Sequence, residues 1–203
     1  MLASRCMFDP NAIRSALERL RAADPRFEIV GAKGHRYHLN APIAERELIM
    51  WERDHEVTLP DGYRTYLRKL GDGGVGPHYG IFPLGRWDGA GDTLESFSDA
   101  VGDLRAPFPH RTAWNLPVER RTLPDDLDGG GKYYDPSLTD GAFWIAQQGA
   151  ALRTLLVVTG PERGMIWDDL RPAGGGLVPC LASFGGWYVR WLEHSLREAT
   201  TRL

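Results

Sequence analysis

Apolar and polar residues alternate along this chain with periods that predict its elements. Ile13, Ala16, Leu17 and Leu20 recur at helical spacing, with Arg14, Glu18, Arg19 and Arg21 between them. Asp9 before Pro10 is a start signal and Asp24-Pro25 a stop, because the residue before a proline avoids the helical region. Two short extended pieces, Phe27 to Val30 and His35 to Leu39, read as a hairpin separated by Gly31 and Gly34. A second helix follows Pro42, with Ala44, Leu48 and Trp51 as its apolar line, and runs to about His55. Leu59-Pro60 opens a third, whose inward face is Tyr63, Tyr66, Leu67 and Leu70 and which stops at Gly71.

The middle of the chain changes character. Residues 72–142 are rich in glycine, proline and aspartate, with one predicted strand over Tyr79 to Leu84 and one short helix over Thr93 to Val101. Regular patterning returns with a strand at Phe143 to Gln147. The apolar run Leu155 to Thr159 is expected of a central strand covered on both faces. A turn over Thr159 to Gly164 leads into the returning strand Met165 to Trp167. Ser183 then caps a closing helix with an aromatic stripe of Phe184, Trp187, Tyr188, Trp191 and Leu192. Helices first, strands next and a final helix predict an α+β fold, a single domain with an antiparallel sheet.

Composition refines that picture without changing the class. The 203 residues contain no run of about 18 apolar residues, so no membrane span is expected, and no apolar leader follows Met1. Two cysteines, Cys6 and Cys180, make no disulfide framework and no metal-ligand pair, which points to the cytoplasm. Five of the seven tryptophans (Trp51, Trp144, Trp167, Trp187 and Trp191) fall on predicted core faces, leaving Trp87 and Trp114 among polar residues. The formal net charge of −3 conceals an asymmetry. Residues 88–140 hold eleven acids against five bases, giving −6, and the rest of the chain carries +3. An acidic segment of this kind repels nucleic acid and attracts a basic partner, although aspartate also favours turns and caps.

Motifs for chemistry are weak. Gly71-Asp72-Gly73-Gly74-Val75-Gly76 matches a dinucleotide fingerprint in letters, yet it follows a helix and leads toward a strand. That inverts the context in which helix-end amides face a pyrophosphate, so a glycine turn is expected. His35 and His38 fall on opposite faces of the predicted strand, and Asp126, Asp128, Asp168 and Asp169 lack the further ligands of a calcium loop. No nucleophile elbow or phosphate loop is present, and no metal site, cofactor site or catalytic residue is assigned.

Three stretches resemble the SUKH superfamily, named in part after the Smi/Knr cell-wall regulator. They are Leu59-Pro60-Asp61-Gly62-Tyr63-Arg64 with Trp51 and Glu52 upstream, the run from Gly71 through Gly76-Pro77 to Leu84, and Ile145 to Trp167 with the closing Ser183-Phe184 helix. The resemblance covers 42–203, with residues 1–41 as an N-terminal helix and hairpin extension packed on the same domain. It implies an α+β fold with a central, mostly antiparallel sheet flanked by helices, and a non-enzymatic protein-binding module without catalytic residues or an obligatory cofactor. Bacterial members are commonly immunity proteins that neutralise a cognate polymorphic toxin, often a nuclease, and others are regulatory or scaffolding modules. The acidic segment suits immunity, because a nuclease toxin presents a basic substrate surface. The expected contacts are Asp88, Asp92, Glu95, Asp125, Asp126 and Asp128, with Trp87 as an apolar anchor. A small-molecule binder or an enzyme with an unrecognised site stands as the remaining alternative.

Overall fold

The computed structural model describes residues 8–86, 102–120 and 130–202. Helix α1 spans Pro10–Ala23, and the Asp9 carboxylate accepts the Asn11 N–H at 2.9 Å as its cap. Its apolar line of Ile13, Ala16, Leu17 and Leu20 is buried. Helices α3 (Glu45–Asp54) and α4 (Asp61–Lys69) follow, and the whole inward face of α4 (Tyr63, Tyr66, Leu67 and the adjoining Leu70) is buried.

The expected hairpin over 27–39 is not formed. Its place is taken by a one-turn helix α2 (Ala32–His35) inside a compact loop. The Asp24 carboxylate organises the loop. It accepts the backbone N–H groups of Glu28 (2.8 Å) and Ile29 (3.0 Å) and the Tyr37 hydroxyl, so those donors are not free to form a ladder. Gly31, Arg36 and Tyr37 have positive φ, which no regular strand tolerates. The predicted strand over 79–84 contracts to a bridge at Ile81, which pairs with Gly74 on one side and Ala146 on the other. His78 and Gly80 at positive φ, and Pro83 without an N–H, stop the pairing from spreading.

The sheet has four antiparallel strands in the order β1-β2-β3-β4: Ala142–Gly149, Leu152–Val157, Met165–Asp169 and Leu177–Ser183. The turn over 159–164 joins β2 and β3 as the sequence predicts. Strand β4 escapes the sequence reading because it contains Pro179 and a bulge. Met165 pairs with Ser183 and Trp167 with Pro179, so residues 180–182 break the two-residue alternation. On one face Phe143, Ile145, Leu156, Val158, Ile166 and Ala182 pack with the helices. Helix α6 (Phe184–Thr201) lies among them, with the Ser183 hydroxyl accepting the Gly186 N–H at 3.3 Å and the Tyr188 hydroxyl donating to the Val75 carbonyl at 2.8 Å. The other face buries Trp144, Leu155, Val157, Trp167 and Leu177 under irregular chain, including Phe108 and Trp114. A short helix α5 (Gly130–Tyr133) and the 3-10 turn Pro136–Thr139 belong to this second layer. Trp114 stacks on Tyr133, with ring centroids 5.7 Å apart, and bridges Leu177 at the β4 edge. Thus β2 is covered on both sides, as its apolar run predicts, while regular helices cover only one side. The buried line of α1 belongs to the same core as α6, so the N-terminal residues 8–23 are built into the helical layer.

Candidate functional site

All seven expected partner contacts lie outside the described residues: Trp87, Asp88, Asp92 and Glu95 in 87–101, and Asp125, Asp126 and Asp128 in 121–129. The charge excess is nevertheless sharply placed. Residues 87–101 contain four acids and no base, and 121–129 contain three acids and one base. Residues 102–120 and 130–140 hold four of each, so the −6 of the acidic segment belongs entirely to the two shorter stretches. Their flanks are well anchored. Gly85 sits against Trp51, where an added Cβ would stand 3.2 Å from the indole nitrogen. Gly102 is pressed on Pro136 and Asp140, and Asn115 takes a hydrogen bond from the Tyr133 hydroxyl at 2.9 Å.

The motif residues that carry the family resemblance form a brace. Glu52 accepts the Leu59 N–H (2.9 Å) and the Arg64 Nε (3.2 Å), and Arg64 also donates to Glu45 at 2.6 Å. Arg163, in the β2–β3 turn, donates to the carbonyls of Thr58 (3.1 Å) and Leu59 (2.9 Å), tying that turn to the start of α4. The glycine run is the turn after α4. Gly73 and Gly74 adopt φ of 80° and 100°, and a Cβ on Gly74 would stand 2.5 Å from the His38 carbonyl oxygen. Asp72 accepts the Leu84 N–H at 2.7 Å, which occupies its carboxylate structurally.

Titratable groups gather at one end of the sheet. Gln148 and Thr154 both donate to Asp168 Oδ1, at 2.5 and 3.2 Å, and Gln148 also reaches the Thr154 hydroxyl at 3.0 Å. Cys180 lies beside them. Burial first, and then the Asp168 carboxylate, push its thiol well above the usual range, which keeps it protonated. Burial lowers His78 against the opposing pull of Asp168, and it lowers His110 despite the Leu138 carbonyl. His35 is pushed down to about 4 by burial between Tyr37 and Trp191. The Asp168 constellation is therefore a protonated thiol, the neutral His78 imidazole and a carboxylate already engaged by two donors, while His110 packs on the other face with Phe108, Trp114 and Trp167 and His35 beside Tyr37 and Trp191. The constellation is unsuited to nucleophilic attack, which needs a thiolate or an adjacent free base. On the opposite face Asp169 and Arg171 form a buried pair at 2.7 Å, with Trp144 Nε1 donating to the same carboxylate at 3.4 Å. Among the described residues no three His, Cys, Asp or Glu side chains gather to hold a metal ion.

One surface feature went unread in the sequence. A cleft of about 420 Å³ runs along α6, lined on one side by Trp187, Arg190, Trp191, His194, Ser195 and Glu198 and on the other by Ile29, Val30, Pro77 and His78. The aromatic stripe of α6 signalled core packing. It is wide enough that Trp187 is buried while Trp191 is half-exposed into this cleft. The opposing wall exists only because 27–38 folds as a loop, which the hairpin reading excluded. Comparison with protein-family models, with curated proteins and with solved structures at large gives no match.

Proposed function

We propose that the chain is a non-enzymatic protein-binding module of the immunity type, which holds a cognate toxin domain through a basic surface on that toxin. The observation that carries this reading is the charge segregation. A −6 excess is confined to residues 87–101 and 121–129, and the remainder of the chain carries +3. Concentrated like charge steers an oppositely charged partner and rejects others. The resemblance to SUKH proteins favours the same role. The internally satisfied Asp168 cluster, with its protonated Cys180, favours binding over nucleophilic chemistry. Regulatory or scaffolding partners would use the same surface, and a toxin gene beside this one separates the two cases.

The test is charge reversal. Asp88→Lys, Asp92→Lys and Glu95→Lys together, and separately Asp125→Lys, Asp126→Lys and Asp128→Lys, are measured against the protein partner that the wild-type chain captures from its native cells, identified by mass spectrometry. Each triple variant is expected to weaken binding by about tenfold or more and to flatten its salt dependence. Unchanged affinity and salt slope in both would remove the acidic stretches from the interface.

A further inference from the structure

The cleft along α6 has the features of a second, independent interaction surface. Its α6 wall runs from Trp187 to Glu198, which at the helical rise is about 16 Å, the length of three helical turns or some five extended residues. The cleft is long and shallow, and its floor is largely apolar, with Trp187 and Trp191 one turn apart and Ile29, Val30 and Pro77 facing them. Val30 is 65% exposed at its rim.

The charges along the cleft are unequal. Glu198 is engaged, by Arg202 and by His194 at 3.7 Å. Arg190 has no carboxylate partner among the described residues. It donates one hydrogen bond, from Nη2 to the Cys180 carbonyl at 3.2 Å, which fixes the guanidinium and leaves its other donors turned to solvent. Beside that carbonyl stands Leu181, 82% exposed and at a φ of 51°. An aliphatic residue held in the left-handed region is strained, and exposure returns nothing for the strain. Arg190 therefore lines a tryptophan-floored cleft, and arginine and tryptophan are the residue types enriched at binding hot spots. Pro179 and the bulge over 180–182 block the β4 edge from accepting a further strand, so the surface is built for side chains rather than for strand addition.

We infer that the α6 cleft docks a protein segment presenting a carboxylate between apolar side chains, the carboxylate meeting Arg190 and the apolar groups meeting Trp187, Trp191 and Val30. A guanidinium with no carboxylate partner among the described residues, set beside apolar side chains, selects an anion, and the elongated floor selects a peptide over a compact ligand. The cleft is lined by described residues outside 87–101 and 121–129, and its charge preference is opposite to that of the acidic stretches.

The probe is a fluorescein-labelled amphipathic peptide of roughly 15 residues with leucines and glutamates on one face, alongside the same peptide with lysine for glutamate. Anisotropy and the tryptophan emission of the full chain report binding. The glutamate peptide is expected to bind and shift the emission, the lysine peptide to bind at least about tenfold more weakly, and Arg190→Glu to reverse the order. Arg190 and Val30 are surface residues, so Arg190→Glu and Val30→Asp preserve the core, and Val30→Asp is expected to weaken the glutamate peptide as well. Equal binding of both peptides, or no binding of either up to roughly 1 mM, would overturn the inference.

Discussion

Two residues break ordinary rules in ways that measurement can reach. Leu181 pairs exposure with a left-handed backbone, so Leu181→Gly loses little burial and relieves the strain. Chemical denaturation is expected to show a gain of about 0.5–1 kcal/mol, and a loss would mean that the side chain packs better than its exposure indicates. His35 is the second. Its Nδ1 accepts the Tyr37 N–H at 3.1 Å and its buried Nε2 has no partner, so the neutral ring is favoured and its folded pKa is about 4, below the unfolded value near 6.5. As pH falls through that window the unfolded chain takes the proton first. Stability is therefore full above about 6.5 and declines toward 4, by about 1–2 kcal/mol once partial exposure is allowed for. His78 acts in the same direction. His35→Phe is expected to flatten the stability profile between those pH values, and an unaltered profile would assign the acid lability elsewhere.

Among the elements, helices were the most legible. Asp9, Pro10 and Ser183 act as the caps their types suggest, and α4 buries the four residues that its spacing selects. Strand β2 was equally plain, since an unbroken apolar run has no solvent face to pattern. The misreadings have two physical sources, a side chain that captures backbone donors and a strand whose alternation is broken. Asp24 takes two amides that a hairpin needed, and Pro179 with the adjoining bulge hid β4. The joint between elements gives a direct test. Asp169 and Arg171 are 3% exposed each and locked together where β3 meets the irregular layer. Asp169→Asn leaves a buried guanidinium short of its counter-charge and is expected to cost about 3–5 kcal/mol by urea denaturation. A loss under about 1 kcal/mol would mean that the Tyr133 carbonyl and the face of Tyr134 suffice for Arg171.

At the scale of the molecule, α1 and α6 share one core, and Leu20 between them is completely buried. Leu20→Ala is expected to destabilise the whole cooperative unit by about 2–4 kcal/mol, seen as one shifted transition. A separate early transition confined to the N-terminal region would show instead that it folds by itself. No helix among the described residues is long and apolar enough to cross a membrane.

The amino-acid order by itself determined the α+β class, four of the helices, the central hairpin and the concentration of acid in the middle of the chain. Each depends on local spacing, capping chemistry or composition, which are properties of neighbours in sequence. Tertiary structure decided the rest: the loop that Asp24 gathers, the β4 edge, the protonated state of Cys180 and the cleft along α6. These arise where the folded chain brings side chains together, as with Asp24 and Tyr37, Asp168 and Cys180, and Val30 and Trp191. Burial and side-chain hydrogen bonding set those relations, and hydrophobic periodicity and composition do not encode them.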